Sequence, residues 1–109
     1  MKPKDLSYTI KERRMIAETA GLRVQIMTLE SDEVVPWHHH TEITDTFICL
    51  DGTMIVQVKG PDGVHELKPG EMREVPPMTD HHVMPKNGGS CRFVIVQGIG
   101  EHDFIESGD

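Results

Sequence analysis

The sequence predicts an all-β domain, either a sandwich or a barrel, because short strand-like runs alternate with turn signals along the chain. The clearest strands are residues 53–58 (TMIVQV) and 92–97 (RFVIVQ), which are rich in β-branched side chains. Turn-forming pairs such as Asp51-Gly52 and Pro69-Gly70 separate these runs. The other strand-like runs are residues 22–30, 45–50, 64–68 and 72–75.

Residues 9–20 (TIKERRMIAETA) are the one segment whose pattern suits a helix as well as a strand. Met15, Ile16 and Ala17 form an apolar cluster, but no clear capping residues flank it. Both alternatives stay open at this stage. Residues 1–20 are therefore expected to form an N-terminal arm or strand. Five basic residues in this segment are expected to face solvent: Lys2, Lys4, Lys11, Arg13 and Arg14.

Length and charge limit the classes of function. A chain of 109 residues has room for one domain with a single core, spanning residues 1–109. Its formal net charge of −7 argues against non-specific nucleic-acid binding, which needs clustered positive charge. No apolar run is long enough for a signal peptide or a membrane span. Cys49 and Cys91 form no C-x-x-C pair, so we expect a reducing, cytoplasmic compartment.

The three consecutive histidines at positions 38–40 are the strongest chemical signal in the sequence. In an extended strand, His38 and His40 share one face, with Cα atoms about 6.6 Å apart, whereas His39 points to the opposite face. Two imidazoles so placed can bind one metal ion. Asp45 follows after a turn, and His81 can join the pair only if the β-structure folds back on itself.

Residues 38–52 read HHHTEITDTFICLDG. This is H-x-H, four residues, an acid, six residues and a glycine, which resembles the first motif of the cupin family, G-x5-H-x-H-x3,4-E-x6-G. The stretch from about 32 to 52 follows that spacing with two departures. Asp32 stands where the motif opens with glycine, and Asp45 stands where it has glutamate.

Residues from about 70 to 85 resemble the second cupin motif, G-x5-P-x-G-x2-H-x3-N. Gly70, Pro76 and His81 keep its spacing, whereas Met78 replaces its second glycine and Pro85 replaces its asparagine. The resemblance implies a single conical β-barrel of the jelly-roll, double-stranded β-helix type. It also implies one metal ion, held by His38, His40 and His81 with Asp45 as a fourth ligand.

Several alternatives for the site stay open. Asp45 is one methylene shorter than glutamate, so it either binds the ion directly or orients a histidine ligand from behind. Glu42 shares the parity of His40 and is a rival acid. His82 would replace His81 if the register slipped by one residue.

The remaining histidines, His39, His65 and His102, are expected to be exposed. Phe47 and Cys49 share the parity of Asp45 and are expected to line the interior. Trp37 precedes the first ligand and is expected at the mouth of the pocket. Buried cysteine usually acts as a small apolar side chain, so we interpret Cys49 as a core residue and not as a nucleophile.

Three imidazoles with or without one carboxylate leave coordination positions open, as a catalytic metal requires. We therefore expect a mononuclear metalloenzyme, a dioxygenase or an isomerase or lyase, acting on a small oxygenated organic molecule. The ligand set suits iron, manganese, nickel, zinc, cobalt or copper and does not choose among them. Candidates for acid–base chemistry are Glu42, Glu74 and His82. The alternative is a non-catalytic module that binds a small molecule or a metal.

The N-terminal half of the chain also predicts an assembly. A small β domain exposes sheet edges, and a strand at such an edge offers unpaired backbone groups to a partner. We expect a homodimer in which residues 9–30 contribute to the interface.

Overall fold

The computed structural model describes residues 8, 10–61 and 63–107, so residues 1–7 and 9 of the predicted N-terminal arm, with Lys2 and Lys4, lie outside this part. The described residues form ten strands, and most of them end at the turns that the sequence predicts. The strands are β1 (Glu12–Thr19), β2 (Leu22–Leu29), β3 (Val35–His39), β4 (Thr44–Gly52), β5 (Met54–Val58), β6 (Val64–Leu67), β7 (Met72–Val75), β8 (His81–Pro85), β9 (Cys91–Gly98) and β10 (Ile105–Glu106). Within this part of the chain, no helix is long and apolar enough to cross a membrane.

The strands build two antiparallel sheets of five strands each. The first sheet has the order β1-β2-β9-β4-β7 and the second β10-β3-β8-β5-β6. The all-β, jelly-roll prediction is confirmed. The hydrogen-bonded ladders run within each sheet and do not continue around a closed barrel. Each sheet buries one face, because apolar side chains alternate with polar ones along strands such as β9.

The ambiguous segment 9–20 contains a strand. Residues Glu12–Thr19 pair antiparallel with β2, and the register shifts between Met15 and Ala17. As the outermost strand of the first sheet, β1 is paired along one edge only. The hydrogen-bonded pairing with β2, a strand rich in β-branched residues, therefore outweighs the weak helical propensity of the segment.

The core lies between the two sheets. Phe47 of β4 and Phe93 of β9 meet edge to face, with ring centroids 5.8 Å apart, and both are fully buried. Cys49 and Cys91 are free and buried in the same cluster. The apolar cluster occupies one end of the space between the sheets and leaves the other end to polar side chains.

The polar end is where the two sheets bring the conspicuous residues together. His38 lies on β3 and faces His81 on β8, its cross-strand partner in the second sheet. His40 directly follows β3, and Asp45 lies near the start of β4 in the first sheet. The histidines and the aspartate therefore approach one another from opposite sheets.

The segment after β9 covers this end of the fold. The backbone N–H and the hydroxyl of Thr41 donate to the Asp103 carboxylate at 3.0 and 2.6 Å. The backbone N–H of Ser107 donates to the carbonyl of Trp37 at 2.9 Å. These bonds hold residues 101–107 beside the histidines.

Candidate metal centre

Four side chains with metal-binding atoms meet in the interior. His38, His40, Asp45 and His81 are each at most 2% exposed. One ligand atom from each lies within 4.8 Å of all the others. The structure therefore brings together all four residues that the sequence singled out, and their ligation of a metal stays a prediction.

Each of the three imidazoles is oriented by a backbone carbonyl. Nδ1 of His38 donates to the carbonyl of Pro36 at 2.7 Å, and Nδ1 of His81 donates to that of Thr79 at 2.8 Å. Nδ1 of His40 donates to the carbonyl of Asp103. Because a carbonyl oxygen can only accept, Nδ1 carries the proton in each ring. In the neutral imidazoles, Nε2 is therefore an unprotonated acceptor.

The three Nε2 atoms converge on one carboxylate oxygen. Oδ2 of Asp45 lies 2.9 Å from Nε2 of His40, 2.8 Å from that of His81 and 3.9 Å from that of His38. With neutral rings this arrangement sets acceptors against an acceptor, which is unfavourable unless a cation lies among them. Three imidazoles and a carboxylate are a common ligand set for a divalent transition metal. The donor set thus fits such an ion.

Asp45 is held in its ionised form. Burial alone would raise its pKa, but the neighbouring imidazoles, which can donate to the carboxylate only when they are protonated, outweigh burial and keep the pKa of Asp45 well below its usual range. The other oxygen of Asp45, Oδ1, accepts from Nε2 of Gln97 at 3.1 Å, and Gln97 accepts from Gln25 at 3.2 Å. Both glutamines are buried. The shorter acid therefore lies within 3 Å of two of the three imidazoles, and Gln97 and Gln25 position it from the other side.

His39 and His82 lie on the outer side of the second sheet. Nδ1 of His39 lies 3.0 Å from a carboxylate oxygen of Asp80. The ring of His82 packs against Trp37 with centroids 5.4 Å apart. The parity predicted for the histidine run is confirmed, and His81, not its neighbour His82, faces the cluster.

The acidic candidates lie away from the cluster. Glu42 is exposed, and its side chain accepts from the backbone N–H of Glu101 at 2.9 Å. Glu74 is exposed on β7. Neither residue, nor His82, is among the described residues that line the neighbouring cavity.

A cavity of about 400 Å³, measured with its opening to solvent, adjoins the cluster. His38 and Asp45 are among its lining residues, and Phe47 forms part of the wall. The structure places Trp37 outside against His82 and buries Cys49 in the core, so neither is among its described lining residues. The described lining residues are Tyr8, Arg13, Arg23, Gln25, Met27, Val35, His38, Asp45, Phe47, Ile95, Gln97, His102 and Phe104.

Two sequence-based expectations about this cavity are wrong. Arg13 was expected to be solvated, but it lies opposite Met27 in the ladder and shares the inward face of the sheet. His102 was expected to be exposed, but it is half-buried, with its ring 5.4 Å from that of His40. Burial, together with the charge of Arg23, lowers the pKa of His102 to about 4. Both side chains therefore line the cavity.

Other lining residues were not predicted from the sequence, among them Phe104, Tyr8 and Arg23. Phe104 stacks on His38 with ring centroids 4.2 Å apart, and Tyr8 packs against Phe104 at 5.7 Å. Burial raises the pKa of Tyr8, so its hydroxyl stays protonated at neutral pH. Arg23 could have been found, because it continues the alternating inward row of Gln25 and Met27. No local signal identifies Phe104, since its segment folds back from the far end of the chain.

Comparison with protein families agrees with this geometry. The model described as a cupin domain matches residues 25–97, which include all four clustered residues. No curated protein matches the sequence.

Solved structures with the same architecture cover most of the chain. A cupin-2 domain containing protein from Shewanella frigidimarina is 26% identical, with a TM-score of 0.68 and 86% of each chain covered. A conserved protein with a double-stranded β-helix domain from Klebsiella pneumoniae is 24% identical, with a TM-score of 0.73, covering 88% of this chain and 84% of that chain. KdgF from a Halomonas species is 17% identical, with a TM-score of 0.71 and 89% of each chain covered.

Proposed function

Because the chain belongs to the cupin domain family, we propose that it is a mononuclear metalloenzyme acting on a small oxygenated organic molecule. The observation that carries the proposal is the convergence of three Nε2 acceptors and an ionised carboxylate beside a cavity. His38, His40, His81 and Asp45 would hold one divalent iron, manganese, nickel, zinc, cobalt or copper ion. When bound, such an ion polarises an oxygen atom of the substrate as a Lewis acid.

The surrounding residues support turnover in three ways. The backbone carbonyls that accept from Nδ1 keep the imidazoles in one orientation, with Nε2 turned toward the proposed ion. Phe47, Ile95 and Phe104 provide apolar wall that limits the entry of water. Tyr8 and His102 provide side chains that can hold or move a proton within the same cavity.

The proposed reaction class is that of a dioxygenase or of an isomerase or lyase. The alternative is a non-catalytic binding module. It is favoured by the fact that, among the described lining residues, Asp45 is the one carboxylate. Oxygen consumption and keto–enol exchange, measured over a set of small keto acids and enols, separate the two. Turnover that disappears with the metal supports an enzyme, whereas metal-dependent binding without turnover supports the module.

The metal proposal is tested first by elemental analysis of protein purified without a tag. We expect His38→Ala, His40→Ala and His81→Ala each to weaken metal affinity by more than about 100-fold, because loss of a ligand costs more than loss of its supporting bond. Asp45→Ala should do the same if the carboxylate binds directly, as we propose.

The matched control is His39→Ala, which removes an imidazole from the outer face of the same strand and should leave metal content unchanged. Full metal content in His81→Ala would contradict the proposed ligand set. Full metal content in Asp45→Ala would show that three histidines suffice to bind the ion, and that Asp45 of the wild-type protein supports them without binding it.

We further propose a cytoplasmic homodimer. Both cysteines are free and buried, which suits a reducing compartment. Strand β1 forms the edge of the first sheet and exposes Met15 and Ile16. Such an edge can pair with the same strand of a second copy.

A further inference from the structure

The wall of the cavity that faces Asp45 is cationic. Arg23 of β2 is the cross-strand partner of Gln97 on β9, and Gln97 is in turn the partner of Asp45 on β4. Arg13 reaches the cavity from β1, with its guanidinium 5.1 Å above the centre of the Tyr8 ring. Two guanidinium groups therefore line a cavity of a protein whose formal net charge is −7.

Both guanidinium groups are incompletely paired. Nη2 of Arg13 and Nε of Arg23 are buried and have no hydrogen-bond partner among the described residues. Nε of Arg23 lies 3.5 Å from a carboxylate oxygen of Glu18, which is a stretched ion pair at the sheet edge. An arginine does not lose its proton in a protein, so a buried unpaired donor costs free energy that a bound anion would return.

Among the described lining residues, no carboxylate is free to pair with these guanidinium groups. Asp45 is the one carboxylate among the described lining residues, and its oxygens are engaged by Gln97 and the imidazoles. A divalent ion at the proposed site would add further positive charge. The cavity thus attracts an anion that approaches from solvent.

We propose that the substrate is a small organic carboxylate, whose carboxylate group binds Arg13 and Arg23. The inference rests on the proposed metal site, because the remaining part of the substrate would extend from the arginines toward that site. A carboxylate suits the planar fork of a guanidinium, which pairs with two oxygens at once. Apolar neighbours such as Met27 and Ile95 suit a short carbon chain. A phosphate ester would fit this cavity less well, because the described residues include no helix N-terminus whose N–H groups could bind its additional oxygens.

The test compares pyruvate with its neutral analogue pyruvamide by isothermal titration calorimetry. The protein is first loaded with manganese, and its metal content is measured by elemental analysis. We expect pyruvate to bind more tightly than pyruvamide to the wild-type protein. Arg13→Gln and Arg23→Gln should weaken pyruvate binding by about tenfold or more, the usual worth of a charge-assisted bond, and leave pyruvamide unchanged.

The matched control is Arg14→Gln, which removes the same charge from the neighbouring, exposed position on β1. It should leave pyruvate binding unchanged, which separates pairing in the cavity from a general effect of charge. Thermal unfolding should show that Arg13→Gln folds with a melting temperature close to that of the wild type, because Arg13 is only half-buried and its Nη2 has no partner among the described residues. Arg13→Met gives a second variant of similar volume.

Each outcome bears on the inference. Equal affinity for pyruvate and pyruvamide, or undiminished pyruvate binding in both arginine variants, would overturn it. Tighter binding of inorganic phosphate than of pyruvate would overturn the choice of a carboxylate. A protein that takes up no metal contradicts the proposed function alone, since the same titrations on metal-free protein still test the arginines.

Discussion

Met78 has a left-handed backbone conformation, with a φ angle of 62°. It stands where the second cupin motif has glycine, and its N–H donates to the carbonyl of His40 at 2.7 Å. A residue with a side chain therefore occupies a backbone region that favours glycine. An L-residue in this region costs about 1–2 kcal/mol.

Met78→Gly should stabilise the protein. The free energy gained by relieving the backbone strain exceeds the free-energy cost of the greater conformational entropy that glycine gives the unfolded chain. Because the Met78 side chain is 67% exposed, its removal loses little packing. We expect a rise in melting temperature of about 2–4 °C by calorimetry. Met72→Gly is the control, because Met72 is 60% exposed on a strand without positive φ and should lose stability. Equal losses in the two variants would contradict the strain at Met78.

The two cysteines should be unreactive at the pH of most assays. Burial raises the pKa of Cys91 to about 12, and burial also raises the pKa of Cys49. At pH 8 about one Cys91 side chain in ten thousand is a thiolate, the reactive form. We expect iodoacetamide to label neither residue in the native protein at pH 8, and both after unfolding, as measured by mass spectrometry. Rapid native labelling of Cys49 would instead mark it as a nucleophile.

At the scale of secondary structure, Gly52 determines how β4 ends. Its φ angle is +69°, and a Cβ atom built there would lie 2.1 Å from the carbonyl oxygen of Ser90. Strand β4 pairs with β9 at this point, where Gly52 lies opposite Cys91. The last glycine of the first motif is thus required by close approach of the backbone at the start of β9.

Gly52→Ala should lower the free energy of unfolding by at least about 2 kcal/mol, because the clash adds to the unfavourable φ. Gly63→Ala is a matched control, since Gly63 has a φ of +68° with no atom within 4 Å of the added Cβ. It should cost about 1 kcal/mol. Urea denaturation measures both values, and equal losses would show that the contact with Ser90 is readily relieved.

Different strands and segments position the individual residues of the site. Strands β3 and β8 of the second sheet position His38 and His81, whereas β4 of the first sheet positions Asp45. The fourth contribution comes from the segment after β9, whose Asp103 carbonyl orients His40. Cavity and cluster therefore depend on both sheets being packed together.

At the scale of the whole molecule, the exposed edge of strand β1 supports the proposed homodimer. Ile16 and Met15 are 54% and 39% exposed on this edge. We expect light scattering at micromolar concentration to give twice the 12.3 kDa mass of the chain. Ile16→Lys should shift the protein toward monomer, because a charge would enter the paired edge.

Val64→Lys is the control for the assembly. Val64 is 59% exposed on β6, the edge strand of the other sheet, and its substitution should leave the dimer intact. A monomer mass for the wild-type protein would contradict the prediction, and a dimer insensitive to Ile16→Lys would move the interface away from β1.

Much of the fold and of the metal cluster was predictable because it depends on local spacing. Alternation along a strand assigns side chains to faces, so His38 and His40 had to share one face and His39 the other. The same rule correctly placed Phe47 inside. The rule could not be applied to Arg13, because its segment had no strand assignment, and the expectation that Arg13 faces solvent was wrong.

The sequence by itself determined the β class, the parity of the histidines and the family. Only the tertiary structure decided which inward face lines a cavity and which is filled by core side chains. It also brought His102 and Phe104 from the end of the chain to the histidines, and Arg13 and Arg23 to the opposite wall. The physical reason is that alternation relates neighbours along one strand, whereas the distance between two strands depends on how the sheets pair and pack.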